Sequence, residues 1–351
     1  MQHADAAIAG AGIIGLAAAL ELASAGLKVV VFERGHAMRE CSWAAAGMLA
    51  AADPENLAAL QPLARFSRSL YPDFLAKVEG LSGKAIPIRT TQTLQGLRSP
   101  APPLQALSAE AVNAIVPELQ LRGLGFFSLE EESLDPRDLA CALPDAAKAA
   151  GVTLHEQTEV TGVSTQSGSV RLMTTRGEWS AGHFINACGA WAGSLAGISI
   201  APRKGQLLLV ESPEQLAVAI RTPEVYLVPR GDGHIVIGAT VEDAGYDKQV
   251  DPAVIAALQS AASELWPPIR NARVIEAWAG LRPAALDSLP IIGPVPDDRN
   301  SRSWLALGHF RNGILLAPGT ARILRQMILR EPLRIETGAF SAGRFAESLA
   351  Q

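Results

Sequence analysis

The sequence predicts an α/β protein in which a Rossmann-like βαβ nucleotide-binding domain is interleaved with an α+β domain built on a mixed or antiparallel sheet. Three observations carry that prediction. The chain opens on strand, glycine turn, helix, strand and acid. A strand running into small residues returns at 182–191, after an interruption. Residues 203–240 are rich in strand-forming segments separated by turn residues. A chain of 351 residues suggests two domains. The expected partition gives 1–85, 140–200 and 276–351 to the nucleotide domain, and 86–139 and 201–275 to the second, substrate-binding domain.

The first unit is the most specific. Ala6-Ala7-Ile8-Ala9 reads as a strand, Gly10-Ala11-Gly12-Ile13-Ile14-Gly15 as the turn, Leu16 to Ala25 as a helix, and Leu27 to Phe32 as a second strand ending at Glu33. Gly10 allows a tight turn, Gly12 lets backbone N–H groups approach a pyrophosphate, and Gly15 lets helix and strand pack closely. Glu33 lies 18 residues past Gly15, placed to accept hydrogen bonds from a ribose. The alternative is a glycine-rich turn that merely enters an Ala-rich helix. The hexamer does not say which dinucleotide binds. Residues 6–32 lack the basic start of a signal peptide, and Glu21 and Lys28 interrupt any apolar span.

The remaining elements follow in order. Residues 41–49, rich in Ala and Gly, read either as a helix start or as backbone lying against a flat ligand edge. Residues 57–80 have the apolar spacing of one helix, from Leu57 through Leu63, Phe66 and Leu70 to Val78. Residues 81–103 read as short strands and a surface loop carrying Pro100, Pro102 and Pro103. Ser108 caps a helix, and Asp135-Pro136 opens another that runs to about Ala150 and stops at Gly151. Val152 to His155 is a strand, and 160–163 with 170–175 form a hairpin. Strands follow at 206–211, 225–229, 234–238 and 273–278. Helices are expected at Pro252–Leu265 and, closing the chain, Ile314–Leu329 with Pro318 near its start.

Charge and cysteines narrow the function. A net charge of −5 gives no reason to expect nucleic acid or an anionic membrane. Cys41, Cys141 and Cys188 are scattered without metal-ligand spacing, so no metal is expected and a reduced cytoplasmic setting is the simple reading. Two arginines stand in unusual contexts, Gly280-Leu281-Arg282-Pro283 and Gly308-His309-Phe310-Arg311-Asn312-Gly313. Taken singly, each reads first as a solvated charge or a structural ion pair. The alternative is a bidentate clamp on a carboxylate beside a helix N-terminus.

These motifs occur in an order that resembles the D-amino-acid oxidase-like FAD-dependent oxidoreductases, above all their glycine-oxidising branch. The resemblance rests on Ala9 to Gly15, Ser42 to Leu49, Val225 to Arg230, Trp278 to Pro283, Leu289 to Gly293 and Gly308 to Pro318. It implies FAD as the cofactor. Gly10, Gly12, Ile13, Ile14 and Gly15 would hold the pyrophosphate, and Glu33 with Arg34 the adenosine ribose. Cys41, Ser42, Ala46, Gly47 and Met48 would line the path to the flavin ring. Val160 would face adenine and Gly189 a second flavin-contacting strand end. His309, Phe310, Arg311, Asn312, Gly313, Ile314 and Leu315 would wrap the pyrimidine side.

The same resemblance gives Arg311 the substrate carboxylate, with Arg282 and Tyr226 lining that pocket. Tyr226 also reads as an ordinary strand residue, His309 as packing rather than a base, and Cys41 as a mere neighbour. The implied reaction is hydride transfer from Cα of glycine or another small amine or D-amino acid to flavin N5, with no side-chain base. Oxygen would reoxidise the flavin and give hydrogen peroxide. The imine would hydrolyse to a 2-oxo acid such as glyoxylate and ammonia, serving thiamin thiazole synthesis. A homo-oligomer, specifically a homotetramer, is implied as well. Two other readings remain: a dehydrogenase of the same fold passing electrons to an acceptor other than oxygen, and a non-catalytic flavin-binding protein. Glu224 and Val241 depart from the His and Met that some relatives carry, and both are expected to face the substrate.

Overall fold

The computed structural model describes residues 2–99, 104–166, 168–196, 198–296, 298 and 302–345. Pro100, Pro102 and Pro103 of the expected loop lie outside them, as does the chain end from 346.

The glycine turn joins β1 (Gln2–Ala9) to α1 (Ile13–Ser24), which returns through β2 (Val29–Phe32). Most of α1 is apolar and buried, so it behaves as a core helix rather than an amphipathic one. β1 and β2 run parallel, and β1 also pairs parallel with β10 (Gly177–Asn186). Beyond β2 lies β7 (Thr153–His155). Beyond β10 come β17 (Ser303–Leu307) and the antiparallel edge β16 (Ile291–Pro294). The hairpin β8 (Val160–Gln166) and β9 (Ser169–Thr174) attaches antiparallel to β10. The short helix α7 (Gly193–Ala196) follows β10.

The expected single helix at 57–80 is instead a 3-10 turn at Ala58–Leu60 followed by α3 (Gln61–Ser69) and α4 (Tyr71–Ser82). Pro72 explains the break. Its ring denies the i−4 hydrogen bond and clashes with the carbonyl it would face in a continuing helix. The closing helix α9 (Gly313–Ile328) packs on α1 and α3 and contains Pro318 in its interior. Pro318 has no N–H for the Ile314 carbonyl, and the buried Tyr71 hydroxyl donates to that carbonyl instead. One residue on, Gly319 N–H donates to Ser67 Oγ at 2.8 Å and Ser67 Oγ donates to the Leu315 carbonyl at 2.6 Å. A buried carbonyl left without a donor is costly, so α3 and α4 fix the geometry of α9.

The second sheet has the order β15 (Arg273–Ala284), β11 (Ala201–Glu211), β14 (His234–Gly238), β13 (Tyr226–Gly231), β12 (Ala219–Arg221), β4 (Thr93–Leu97), β5 (Gly125–Leu129). All its pairs are antiparallel except β12 with β4. One face is covered by α5 (Ala109–Ile115), capped by Ser108, and α8 (Pro252–Leu265), capped by Asp251. On the opposite face, one row of paired residues crosses all seven strands: Trp278, Leu207, Gly238, Tyr226, Arg221, Gln95 and Phe127. Paired residues point to the same side of a sheet, so these side chains stand next to one another. β3 (Ile88–Thr90) and β6 (Ser133–Leu134) form a small ribbon, and α6 (Pro136–Ala149), capped by Asp135, leads back to the first sheet. The expected partition at 276 falls inside β15, which pairs with β11 along its length, so residues 273–284 belong to the second sheet. The partition at 139/140 falls inside α6. The helix α2 (Cys41–Ala44) carries the chain from the first sheet toward the second.

Candidate flavin and substrate site

The carboxyl ends of β1, β2 and β10 open onto a cavity of about 480 Å³ whose far wall is the second sheet. Crevices at this position are where open α/β sheets bind nucleotides. Gly10 holds φ +101°, and a Cβ there would come within 2.7 Å of the Ala187 carbonyl carbon. Gly12 differs: the nearest atom to a Cβ is Ser42 Oγ at 3.4 Å. The protein alone tolerates a side chain at Gly12, so the space in front of it is kept for a ligand. Gly15 does not line the cavity. A Cβ there would strike the Gly10 carbonyl, so it serves helix–strand packing rather than the pyrophosphate directly.

Glu33 sits at the end of β2 and accepts from Ala11 N–H at 2.9 Å and Gly35 N–H at 2.8 Å, one bond to each oxygen. Each oxygen keeps a lone pair for a ribose hydroxyl. The Arg34 guanidinium lies 3.9 Å over the Trp191 ring. Val160 and Gly189 line the cavity beside these residues. Ile13 N–H donates to Ser42 Oγ at 3.0 Å, which ties the glycine turn to α2. Cys41, Ser42, Ala46, Gly47 and Met48 all line the cavity, and the segment at 41–49 is both readings at once, a one-turn helix and a close wall. Burial pushes the Cys41 thiol up to about 11 and the Cys188 thiol to about 12, so neither is a thiolate at neutral pH.

The segment before α9 closes the first-sheet wall. His309, Phe310, Arg311, Asn312, Gly313 and Ile314 line the cavity, whereas Leu315 points into the core. Phe310 takes φ +45°, an uncommon conformation for a bulky residue and one that concentrates at sites. His309 is buried, lies 3.0 Å from Thr320 Oγ1 and is pushed down to about 3 by desolvation. It is neutral and engaged, which suits packing and not proton transfer.

On the second-sheet wall stand Tyr226 and Arg282. An isolated bridge pairs Ala284 with His309, which brings the end of β15 against the turn that carries Arg311. Arg282 Nη1 donates to the Thr240 carbonyl at 2.9 Å, and Arg311 has no ion pair or hydrogen bond among the described residues. Burial raises the Tyr226 phenol above its ordinary range, with Arg282, Arg230 and Arg311 opposing that shift. A neutral phenol among guanidinium groups, with no acid among the described residues paired to Arg282 or Arg311, is an arrangement for an anion.

Several supporting residues escaped the sequence reading. A Cβ at Gly205 would collide with the Arg282 guanidinium, and one at Gly238 would lie 2.6 Å from Tyr226 Oη. Glycine inside a strand was the available signal. Buried Arg230 donates to the Ala46 carbonyl at 2.7 Å and the Leu134 carbonyl at 3.2 Å, pinning the wall that carries Met48. Arg221, Asp53 and Asn56 also line the cavity. Glu224 and Val241, expected to face the substrate, do not line it. Glu224 pairs with Arg98, and Val241 is 60% exposed.

The whole chain can now be set beside known proteins. Residues 5–327 match the model of the DAO family, described as FAD dependent oxidoreductase. The chain belongs to that family. It is an enzyme, an FAD-dependent oxidoreductase, and FAD is its cofactor. A glycine oxidase of Pseudomonas aeruginosa is 34% identical over 362 residues, covering 96% of this chain and 98% of the relative. A bifunctional protein ThiO/ThiG of Trichormus variabilis is 36% identical, and the aligned part is 93% of this chain but 53% of that longer relative. The crystal structure of glycine oxidase from Geobacillus kaustophilus superposes with a TM-score of 0.91 at 31% identity, covering 97% of this chain and 98% of that one.

Proposed function

We propose that this enzyme is an amine oxidase acting on glycine and other small amines or D-amino acids. The observation that carries the reading is the meeting of Arg282, Arg311 and Tyr226 in one cavity with the nucleotide cradle, with no acid among the described residues paired to either guanidinium. The glycine oxidases of Pseudomonas aeruginosa and Geobacillus kaustophilus, aligned over nearly the whole chain, support the substrate class.

Gly10, Gly12 and Glu33 would hold the dinucleotide, and the 309–314 turn would face its ring. Bound there, FAD supplies the two-electron acceptor for oxidation of the substrate Cα–N bond. Arg311 takes the carboxylate, Arg282 is held toward it by the Thr240 carbonyl, and the Tyr226 phenol completes the clamp. Fixing the carboxylate fixes Cα and orients the bond to be broken. His309, Cys41 and Cys188 are all neutral and none is poised as a base. The substrate amine therefore reaches its neutral form through solvent before oxidation. The balanced reaction consumes the amine, one O2 and one water, and yields a 2-oxo acid, ammonia and hydrogen peroxide. For glycine the acid is glyoxylate. We further propose that the product feeds thiamin thiazole synthesis, in line with the ThiO/ThiG relative, and that the enzyme works in the cytoplasm as a homo-oligomer, specifically a homotetramer.

The test is a substrate panel on the yellow holoenzyme: glycine, sarcosine, D-alanine, D-proline and an L-amino acid, with peroxide as the readout. Peroxide with glycine or a small D-amino acid is the expected result. Flavin bleaching without peroxide in air would show a dehydrogenase, and no bleaching by any of them would remove the amine reading.

A further inference from the structure

Arg311, Arg282 and Arg221 line the cavity around Tyr226, and they are held in different ways. Arg311 is unpaired among the described residues and Arg282 donates to a carbonyl. Arg221 is 3% exposed and lies between two carboxylates, Glu131 Oε2 at 3.1 Å from Nη1 and Asp53 Oδ2 at 3.5 Å from Nε. Gln95 Oε1 also accepts from Nε, while Nη2 is buried with no partner. Asp53 and Glu131 are themselves 5% and 1% exposed. Burying three charged groups is expensive, and a plain polar wall would need fewer of them.

The position of this trio gives it meaning. Arg221 is the cross-strand partner of Tyr226, so the two side chains are neighbours on the cavity face. Asp53 lines the cavity from the loop after α2. That loop is tied to the C-terminal turn by Asn312 Nδ2, which donates to Asn56 Oδ1 at 3.1 Å, one residue from Arg311. With Asp53 facing Nε and Glu131 facing Nη1, the Arg221 charge is offset where it stands. Nη2 nonetheless keeps an unused donor.

We propose that Asp53, Arg221 and Glu131 form a charge filter, which admits amino acids with a single carboxylate and rejects those bearing a second anionic group. The carboxylates quench an arginine that would otherwise hold the second anion. A second carboxylate placed beside Asp53 meets like charge in a poorly screened site. This inference rests on the carboxylate reading of Arg311 given above.

The test uses the holoenzyme without turnover, with acetate and malonate as probes and the flavin absorbance change as the readout. The wild type should bind malonate at least tenfold more weakly than acetate. Asp53→Asn should narrow that ratio at least tenfold, and Glu131→Gln should shift it in the same direction. Adding Arg221→Met to Asp53→Asn should abolish the gain. Two independent single variants protect against one that does not fold, and flavin content checks each. Equal binding of the two probes by the wild type overturns the filter, as does a ratio unmoved in either folded single variant. If acetate binds and Arg311→Ala weakens it, such a failure leaves the carboxylate reading standing. If acetate does not bind, both readings fall together.

Discussion

The two walls of the cavity are built from different materials. The first-sheet wall is largely backbone: a glycine turn, small residues at 44–47, the carboxylate of Glu33 and a turn ahead of α9. The second-sheet wall is side chains: Tyr226, Arg282 and Arg221 on different strands, facing Arg311 from across the cavity. A backbone wall binds what every dinucleotide shares, the phosphates and ribose. A side-chain wall chooses among substrates. Variants on the second wall, and at Arg311 which faces it, should therefore change which molecule reacts, and variants in the backbone of the first should change whether the cofactor stays.

The sharpest break of that contrast is Arg311→Ala. Losing a charge-paired hydrogen bond to a carboxylate costs roughly 2–5 kcal/mol, which at about 1.4 kcal/mol per decade is at least tens-fold in KM. Flavin content should stay at the wild-type level. Steady-state kinetics with glycine and with an amine lacking a carboxylate give the comparison, and an unchanged KM for glycine would end the carboxylate assignment.

Gly10→Ala attacks the backbone of the first wall. A side chain at φ +101° costs about 1–2 kcal/mol, and forcing a methyl against the Ala187 carbonyl adds about 1–3 kcal/mol. The expected product is a colourless or weakly flavinylated protein. The flavin-to-protein absorbance ratio after gel filtration checks it, and full flavin retention would show that the turn does not depend on this glycine.

How much of this was legible in the chain follows the same division. Gly10, Gly12 and Glu33 are close in sequence, and the physics that needs them is local, so the cradle could be read before the fold. Ser108, Asp135 and Pro136 were legible for the same reason. Arg282 and Arg311 read as surface charges from the residues alone and take a site role only through the family resemblance, because what defines them is the lack of a paired acid among the described residues. Arg221 carried no signal at all, since its neighbours Asp53, Gln95 and Glu131 come from three distant segments. The break between α3 and α4 was visible in Pro72, but apolar periodicity across 57–80 outweighed it.

Gly205→Ala sharpens the contrast within the second wall. The new methyl must displace the Arg282 guanidinium, and overpacking of this kind costs about 1–3 kcal/mol. Substrate kcat/KM should fall by about ten- to hundredfold, with flavin content unchanged, because no cofactor-facing residue moves. A loss of flavin alongside activity would show that the two walls are mechanically coupled.

His309 gives the smallest effect and the most direct check on the first wall. Its imidazole is held at about 3, below the ordinary 6.5, because burial disfavours the charged form. Above pH 6.5 it is neutral whether folded or unfolded. As pH falls below that value, the unfolded chain takes up a proton that the folded chain refuses. Stability then drops by up to about 1.4 kcal/mol per pH unit. His309→Gln keeps a partner for the Thr320 hydroxyl and removes the titration. Urea unfolding at pH 6.5 and 5.5 should show the variant losing about 1 kcal/mol less than the wild type over that interval. The kcat/KM profile of the two proteins should have the same shape across pH 5–8. A limb near pH 6–7 present only in the wild type would mean that the imidazole titrates in the working enzyme. The turn before α9 would then contribute a side chain as well as backbone.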